Sequence, residues 1–182
     1  HPSFRSRVTP SFLDFLEFFR LPGDRWFESY GFNFPSEVIE KTLRRTPDKA
    51  ALFSTVPLML QRLRKKSELP IVVVSAGDQS RIERQLAEGR VLHHFELVRG
   101  EISDKTAAIT SFCSAFCIKP ENTVYIGDRP SDMEDGREAG VTTIGFTDDR
   151  PAMERVLIKA GAKYCVRDHQ ELGDLLLRFA RP

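Results

Sequence analysis

The chain has almost no net charge: 27 Lys and Arg face 26 Asp and Glu, leaving +1 at pH 7. That balance excludes a bulk electrostatic drive toward nucleic acid or an anionic membrane. Long hydrophobic runs are missing too, and no stretch is long enough to cross a bilayer. The opening residues His1-Pro2-Ser3-Phe4-Arg5 lead into no apolar h-region, so they do not read as a signal peptide. Cysteine is scarce and odd in number: Cys113, Cys117 and Cys165. Free thiols in a reducing cytoplasm fit that count. Cys113 and Cys117 fall within one predicted helix with no Cys or His partner at zinc-site spacing, so core packing explains them better than metal. Internal repeats and low-complexity segments are absent. The 182 residues suffice for one domain with a sizeable core and a small appendage.

Two kinds of pattern fill that length. Before residue 50 the pattern is helical and aromatic. Ser11 is placed to cap a helix with Phe12, Phe15, Leu16 and Phe19 on one face, and Leu21-Pro22-Gly23-Asp24 breaks it. Trp26, Phe27, Tyr30, Phe32 and Phe34 follow, then Ser36 caps a second short helix. The aromatics suit the core of a small helical subdomain, or an apolar lid or partner surface such as a homodimer contact. From residue 50 onward strands and helices alternate. A long helix is expected from Thr46-Pro47-Asp48 to Arg64-Lys65-Lys66, whose charge the helix dipole explains without nucleic acid. Ile71 to Val74 reads as a buried strand of the parallel-sheet kind, and Phe95 to Val98 as a less defined one. Asp78 and Ser103-Asp104 cap the helices that follow these strands, and Ala108, Ile109, Phe112, Cys113 and Phe116 form the stripe of the second helix. Thr123 to Ile126 is a further buried strand. A helix over 134–139 ends at Gly140, and Val141 to Phe146 is a strand. Pro151 opens a helix closed by Gly161, Tyr164 to Val166 is a last strand, and Leu172, Leu175, Leu176 and Phe179 line a closing helix. This alternation predicts a three-layer α/β domain with a mostly parallel sheet.

The chemistry concentrates on three strand ends. Val124-Tyr125-Ile126 runs into Gly127-Asp128-Arg129-Pro130-Ser131-Asp132, which places Asp128 at the carboxyl end of a strand, where open α/β sheets bind ligands. Asp132 lies in the opening turn of the next helix, so both carboxylates are available for a hard cation such as Mg²⁺. Ser75-Ala76-Gly77 ends the Ile71–Val74 run, and a hydroxyl with backbone N–H groups near a helix N-terminus makes a phosphate cradle. Lys105 stands at the start of a helix, where the dipole disfavours a cation and a compact positive charge could meet an anionic oxygen. On a parallel sheet all of these converge on one edge.

In this order the pieces resemble three motifs of the haloacid dehalogenase (HAD) superfamily. Val72-Val73-Val74-Ser75-Ala76-Gly77 looks like its second motif and Lys105 like its third. Gly127-Asp128-Arg129-Pro130-Ser131-Asp132 is similar to the Gly-Asp-x-x-x-Asp form of its fourth, with Glu138-Ala139-Gly140-Val141 as the usual tail. The resemblance implies a Rossmann-like core over residues 51–182 and a small helical cap over 11–50. It implies a Mg²⁺-dependent phosphatase acting on a small phosphorylated metabolite or a phosphorylated side chain; the cysteine count is what points to the cytoplasm. Ser75, Ala76 and Gly77 would bind the phosphoryl group, and Lys105 would stabilise nucleophile and substrate charge. Asp128 would ligate Mg²⁺, and Asp132 would ligate or orient it.

One departure from the family is large. Its enzymes begin with a strand ending in Asp-x-Asp, whose first Asp attacks phosphorus and whose second is general acid and base. No Asp-x-Asp occurs before residue 75; Asp14 and Asp24 follow no β-run, and Asp48 sits at a helix start. In the family that strand is central, and each buried backbone group it leaves unpaired costs about 1–3 kcal/mol. Against a total stability of roughly 5–15 kcal/mol, such a gap calls for a strand from elsewhere. A strand upstream of His1 is the expectation; a strand borrowed from a partner, or a degenerate member without catalysis, are the alternatives. The competing functions are a non-catalytic HAD-fold binding or regulatory module, phosphoryl transfer, and dehalogenation, which would leave Asp128 and Asp132 without a cation to hold. A receiver domain is disfavoured because its acidic pair lies near the N-terminus.

Overall fold

The computed structural model describes residues 52–180. The expected cap over 11–50 lies outside the described residues, as does the start of the long helix at Thr46-Pro47-Asp48.

Within the described residues the first helix, α1, is Val56–Lys66. Pro57 in its first turn fixes its start, since proline's missing N–H and preset φ fit that position. Arg64, Lys65 and Lys66 fill its last turn, as the dipole favours. Then come β1 (Val72–Val74), α2 (Gln79–Glu88), β2 (Leu97–Arg99), α3 (Lys105–Ala115), β3 (Val124–Gly127), α4 (Pro130–Glu138), β4 (Thr142–Phe146), α5 (Pro151–Ala160), β5 (Tyr164–Val166) and α6 (His169–Phe179). The predicted caps are in place: Asp78 accepts from the Arg81 amide at 2.7 Å and Asp104 from the Ala107 amide at 2.9 Å. Gly161 ends α5 at φ 114°, which a side chain would disfavour. Cys117 corrects one expectation: it lies beyond α3, exposed and at φ 53°, while Cys113 alone is buried in the helix.

All strand pairs are parallel. β1 pairs β2, with Val73 opposite Val98. β4 lies between β3 and β5, with Ile144 opposite Ile126 and Tyr164. Side chains alternate across the sheets. Val73 joins Leu60, Leu86 and Val91 under α1 and α2, and Ile144, Val166 and Leu172 pack under α6. On the other face Ile109, Cys113, Ala139 and Val141 pack with Tyr125 under α3 and α4. The result is helix, sheet, helix, with Ile144 and Leu157 fully buried near the centre.

The sheet is divided, however. Among the described residues β1 and β3 each have one paired edge. Their other edges border a cavity of about 120 Å³ lined by Val72, Val74, Ile109, Phe112, Val124 and Tyr125, with Phe116 among the further lining residues. This corrects the reading of 71–74 and 123–126 as fully buried strands. β1 is half-buried along its length, and Ile126 is 38% exposed. Their sequences carry the composition of central strands, but among the described residues each has a neighbour on one edge alone.

Candidate active site

The crossovers bring the predicted residues to one edge. Each helix runs back antiparallel to the strand before it, so α3 and α4 both begin at the carboxyl ends of the strands. Lys105 is the first residue of α3, and Asp132 lies in the first turn of α4. The two meet directly: Lys105 Nζ donates to Asp132 Oδ1. The side chain of Asp132 is only 5% exposed and that of Lys105 18%. The pair therefore answers two unfavourable placements, a cation at a helix N-terminus and a carboxylate out of water.

Asp132 has further donors. Tyr125 Oη donates to Oδ1 at 3.3 Å, and the Arg129 amide donates to Oδ2 at 3.2 Å, which ties the carboxylate to the start of its own helix. Gly127 makes room for it. A Cβ on Gly127 would stand 2.7 Å from Asp132 Oδ2, so only glycine lets the end of β3 pass this close. Asp128 follows at the rim, exposed. Burial pushes the Tyr125 hydroxyl pKa well up, and the Asp132 charge adds to it, so the phenol stays a proton donor at every ordinary pH. Burial likewise raises the Asp135 carboxyl, while Lys105 pulls it the other way.

Ser75, Ala76 and Gly77 follow β1 and are stitched to the loop that delivers Lys105. The Ser75 amide donates to Arg99 O at 2.9 Å, Glu101 N to Gly77 O at 2.8 Å, and Ile102 N to Ser75 O at 3.0 Å. Gln79 holds the same loop, accepting from the Gly100 amide and donating to Val98 O at 3.1 Å. The helix N-terminus behind the loop is taken by the Asp78 carboxylate. The loop, more than the helix N-terminus, is therefore what a ligand at this edge would meet. Ser75 Oγ accepts from Gly77 N at 3.0 Å, and its own O–H remains able to donate.

The two carboxylates suit a hard cation. Mg²⁺ takes oxygen ligands, keeps several waters and needs only one or two carboxylates. Among the described residues no group of three or more His, Cys, Asp or Glu is gathered for a metal. Asp128, open to solvent, and Asp132, whose Oδ2 accepts from the Arg129 amide, are the carboxylates among the described residues that would hold such a cation. No described helix is long and apolar enough to cross a membrane.

Sequence reasoning passed over Tyr125, Gly127 and Gln79 as site residues. The first two had a signal. Tyr125 and Gly127 are two apart on one strand and share a face, so whatever packs on Gly127 lies on the tyrosine's side. For Gly127→Ala the expected outcome is displacement of Asp132 and a loss of about 1–3 kcal/mol, as for other overpacked sites, read from the urea midpoint.

This edge gathers Asp128, Asp132 and the paired Lys105 at the carboxyl ends of the strands of a parallel α/β core. The family model of haloacid dehalogenase-like hydrolases matches residues 7–146, and the chain belongs to that family. A haloacid dehalogenase-like family hydrolase from Streptococcus pneumoniae is similar in fold, with TM-score 0.70 and 18% identity over 93% of this chain and 83% of the other. A predicted phosphatase from Clostridium acetobutylicum gives 0.67 and 21% over 85% and 76%. The 3-deoxy-D-manno-octulosonate 8-phosphate phosphatase of Moraxella catarrhalis, solved with magnesium, phosphate and its sugar, gives 0.54 and 19% over 71% of each chain. A search of curated protein sequences found no match.

Proposed function

We propose that the protein is a Mg²⁺-dependent phosphatase of small phosphorylated molecules. The observation that carries this reading is the Lys105–Asp132 pair beside Asp128 at the carboxyl edge of the sheet. Similar folds, one a predicted phosphatase and one a phosphatase solved with magnesium and phosphate, support it. In this reading Asp128 and Asp132 hold Mg²⁺, which neutralises phosphoryl charge. Ser75 donates to a phosphoryl oxygen with the backbone of Ala76 and Gly77 beside it. Lys105 offsets the negative charge gathered between nucleophile and substrate.

The nucleophile belongs to a strand seated between β1 and β3. The cavity there has apolar walls on both sides and two parallel strand edges that lack a partner among the described residues. A strand ending in Asp-x-Asp would present its first carboxylate beside Asp128. One carboxylate oxygen attacks phosphorus, the bond to the leaving oxygen breaks, and the second Asp supplies that oxygen's proton. Water then attacks the phosphorus of the aspartyl phosphate, gives its proton to the second Asp, and restores the carboxylate.

The test is hydrolysis of p-nitrophenyl phosphate by protein from its native source, whose intact mass and N-terminal sequence are determined alongside. Turnover that needs Mg²⁺ and is lost with EDTA is expected. A native chain shown to carry Asp-x-Asp that gives no Mg²⁺-dependent turnover overturns the proposal and leaves a binding module.

A further inference from the structure

The half-buried phenol of Tyr125 is an unusual neighbour for a carboxylate already paired with a lysine. Its ring packs among Ile109, Cys113, Ala139 and Val141, beneath the site. Added core volume alone would be supplied equally by phenylalanine. The hydroxyl adds a donor, and it goes to one chosen atom, Asp132 Oδ1, the atom that Lys105 also takes. Two donors fill the two lone pairs of that oxygen. Among the described residues Oδ2 accepts from the Arg129 amide alone, at 3.2 Å, which leaves it one lone pair there. The two carboxylate oxygens thus have different work: Oδ1 faces the lysine and phenol, and Oδ2 is left for a cation.

On this basis, and resting on the Mg²⁺ reading above, we propose that Tyr125 is a positioning residue that sets cation selectivity by restricting Asp132 to one metal-facing oxygen. Mg²⁺ demands near-octahedral geometry with single oxygens, whereas Ca²⁺ accepts carboxylates through both oxygens at once. A carboxylate whose second oxygen is filled by Lys105 and Tyr125 serves the first ion and disadvantages the second. Removing the phenol frees a lone pair on Oδ1 and lets the carboxylate turn about its Lys105 contact. Bidentate binding then becomes available, and the gain falls mainly to Ca²⁺.

The experiment is calorimetric titration of the full chain and of Tyr125→Phe with MgCl₂ and, separately, CaCl₂. The variant keeps the ring and its packing. Circular dichroism melting of both proteins checks that the fold persists. The expected result is a rise in the Ca²⁺ to Mg²⁺ affinity ratio of about 5–10-fold, the loss of discrimination worth roughly one hydrogen bond, with Mg²⁺ affinity changed less than Ca²⁺ affinity. A variant that melts like the parent and shows an unchanged ratio overturns the role of Tyr125 alone, since Mg²⁺ binding by the parent would stand. Equal weakening of both ions also overturns it, because that is what loosened packing would give. A parent that binds neither ion overturns the Mg²⁺ reading itself, and the role of Tyr125 with it.

Discussion

Asp128→Ala is expected to lower kcat for Mg²⁺-dependent phosphoester hydrolysis by about 10³-fold, with little change in the melting temperature. The size follows from the work asked of the residue. A catalytic cation supplies several kcal/mol of charge stabilisation in the transition state. Losing about 4 kcal/mol of it corresponds to about 10³ in rate, at 1.36 kcal/mol per tenfold. The small effect on stability follows from exposure: Asp128 is at the rim, and its carboxylate is already in water. Exposed substitutions away from caps and cores usually change stability by about 0.5 kcal/mol or less. Steady-state rates across a range of MgCl₂ concentrations are the measurement. A variant that regains the parent rate at high Mg²⁺ has lost affinity only, and Asp128 would then be one cation ligand among several. A parental rate at every Mg²⁺ concentration removes Asp128 from the site.

The sequence made the site's order legible before its geometry. Strand composition, Gly-Asp-x-x-x-Asp and a lysine at a helix start are local patterns, and the strands and helix starts they mark are present in the structure, though β1 and β3 are less enclosed than their composition suggests. The Lys105–Asp132 contact spans 27 residues of chain. It was expected only as convergence on an edge, because no periodicity reports which oxygen a lysine will meet. Tyr125 was hidden for another reason. An aromatic in a β-run is fully explained by packing, and the ring does pack; the phenol's second task appears only when Asp132 is seen above it. Among the described residues β1 and β3 each leave one edge unpaired and border a cavity, and no local pattern announces that. Their burial was overestimated because Val72-Val73-Val74 and Val124-Tyr125-Ile126 look enclosed on composition alone, and composition does not count neighbours. Of the long helix expected to end at Arg64-Lys65-Lys66, the described part runs from Val56, with Pro57 in its first turn.

Lys105→Met is expected to destabilise the fold by about 3 kcal/mol, the lower part of the range for breaking a buried ion pair by removing one partner. The reason is what stays behind. Asp132 would retain a charge in a site where its side chain is 5% exposed, with the Tyr125 hydroxyl and the Arg129 amide as its remaining donors among the described residues. Those two donors keep the loss from reaching the upper part of the range, since they satisfy part of the carboxylate's hydrogen-bonding need. A second substitution separates charge from packing. In Lys105→Met with Asp132→Asn the buried charge is gone, and neutral pairs of similar volume are often as stable as the ion pair they replace. The double variant is therefore expected to recover at least half of the loss in urea unfolding while having no phosphatase activity. If the single variant loses less than about 1 kcal/mol, the value of an exposed pair, then the Lys105–Asp132 contact is solvated and water shares its charge. If the double variant is no more stable than the single one, the lysine's methylene stem packed beside α4 is what the fold needs, and its charge serves chemistry alone.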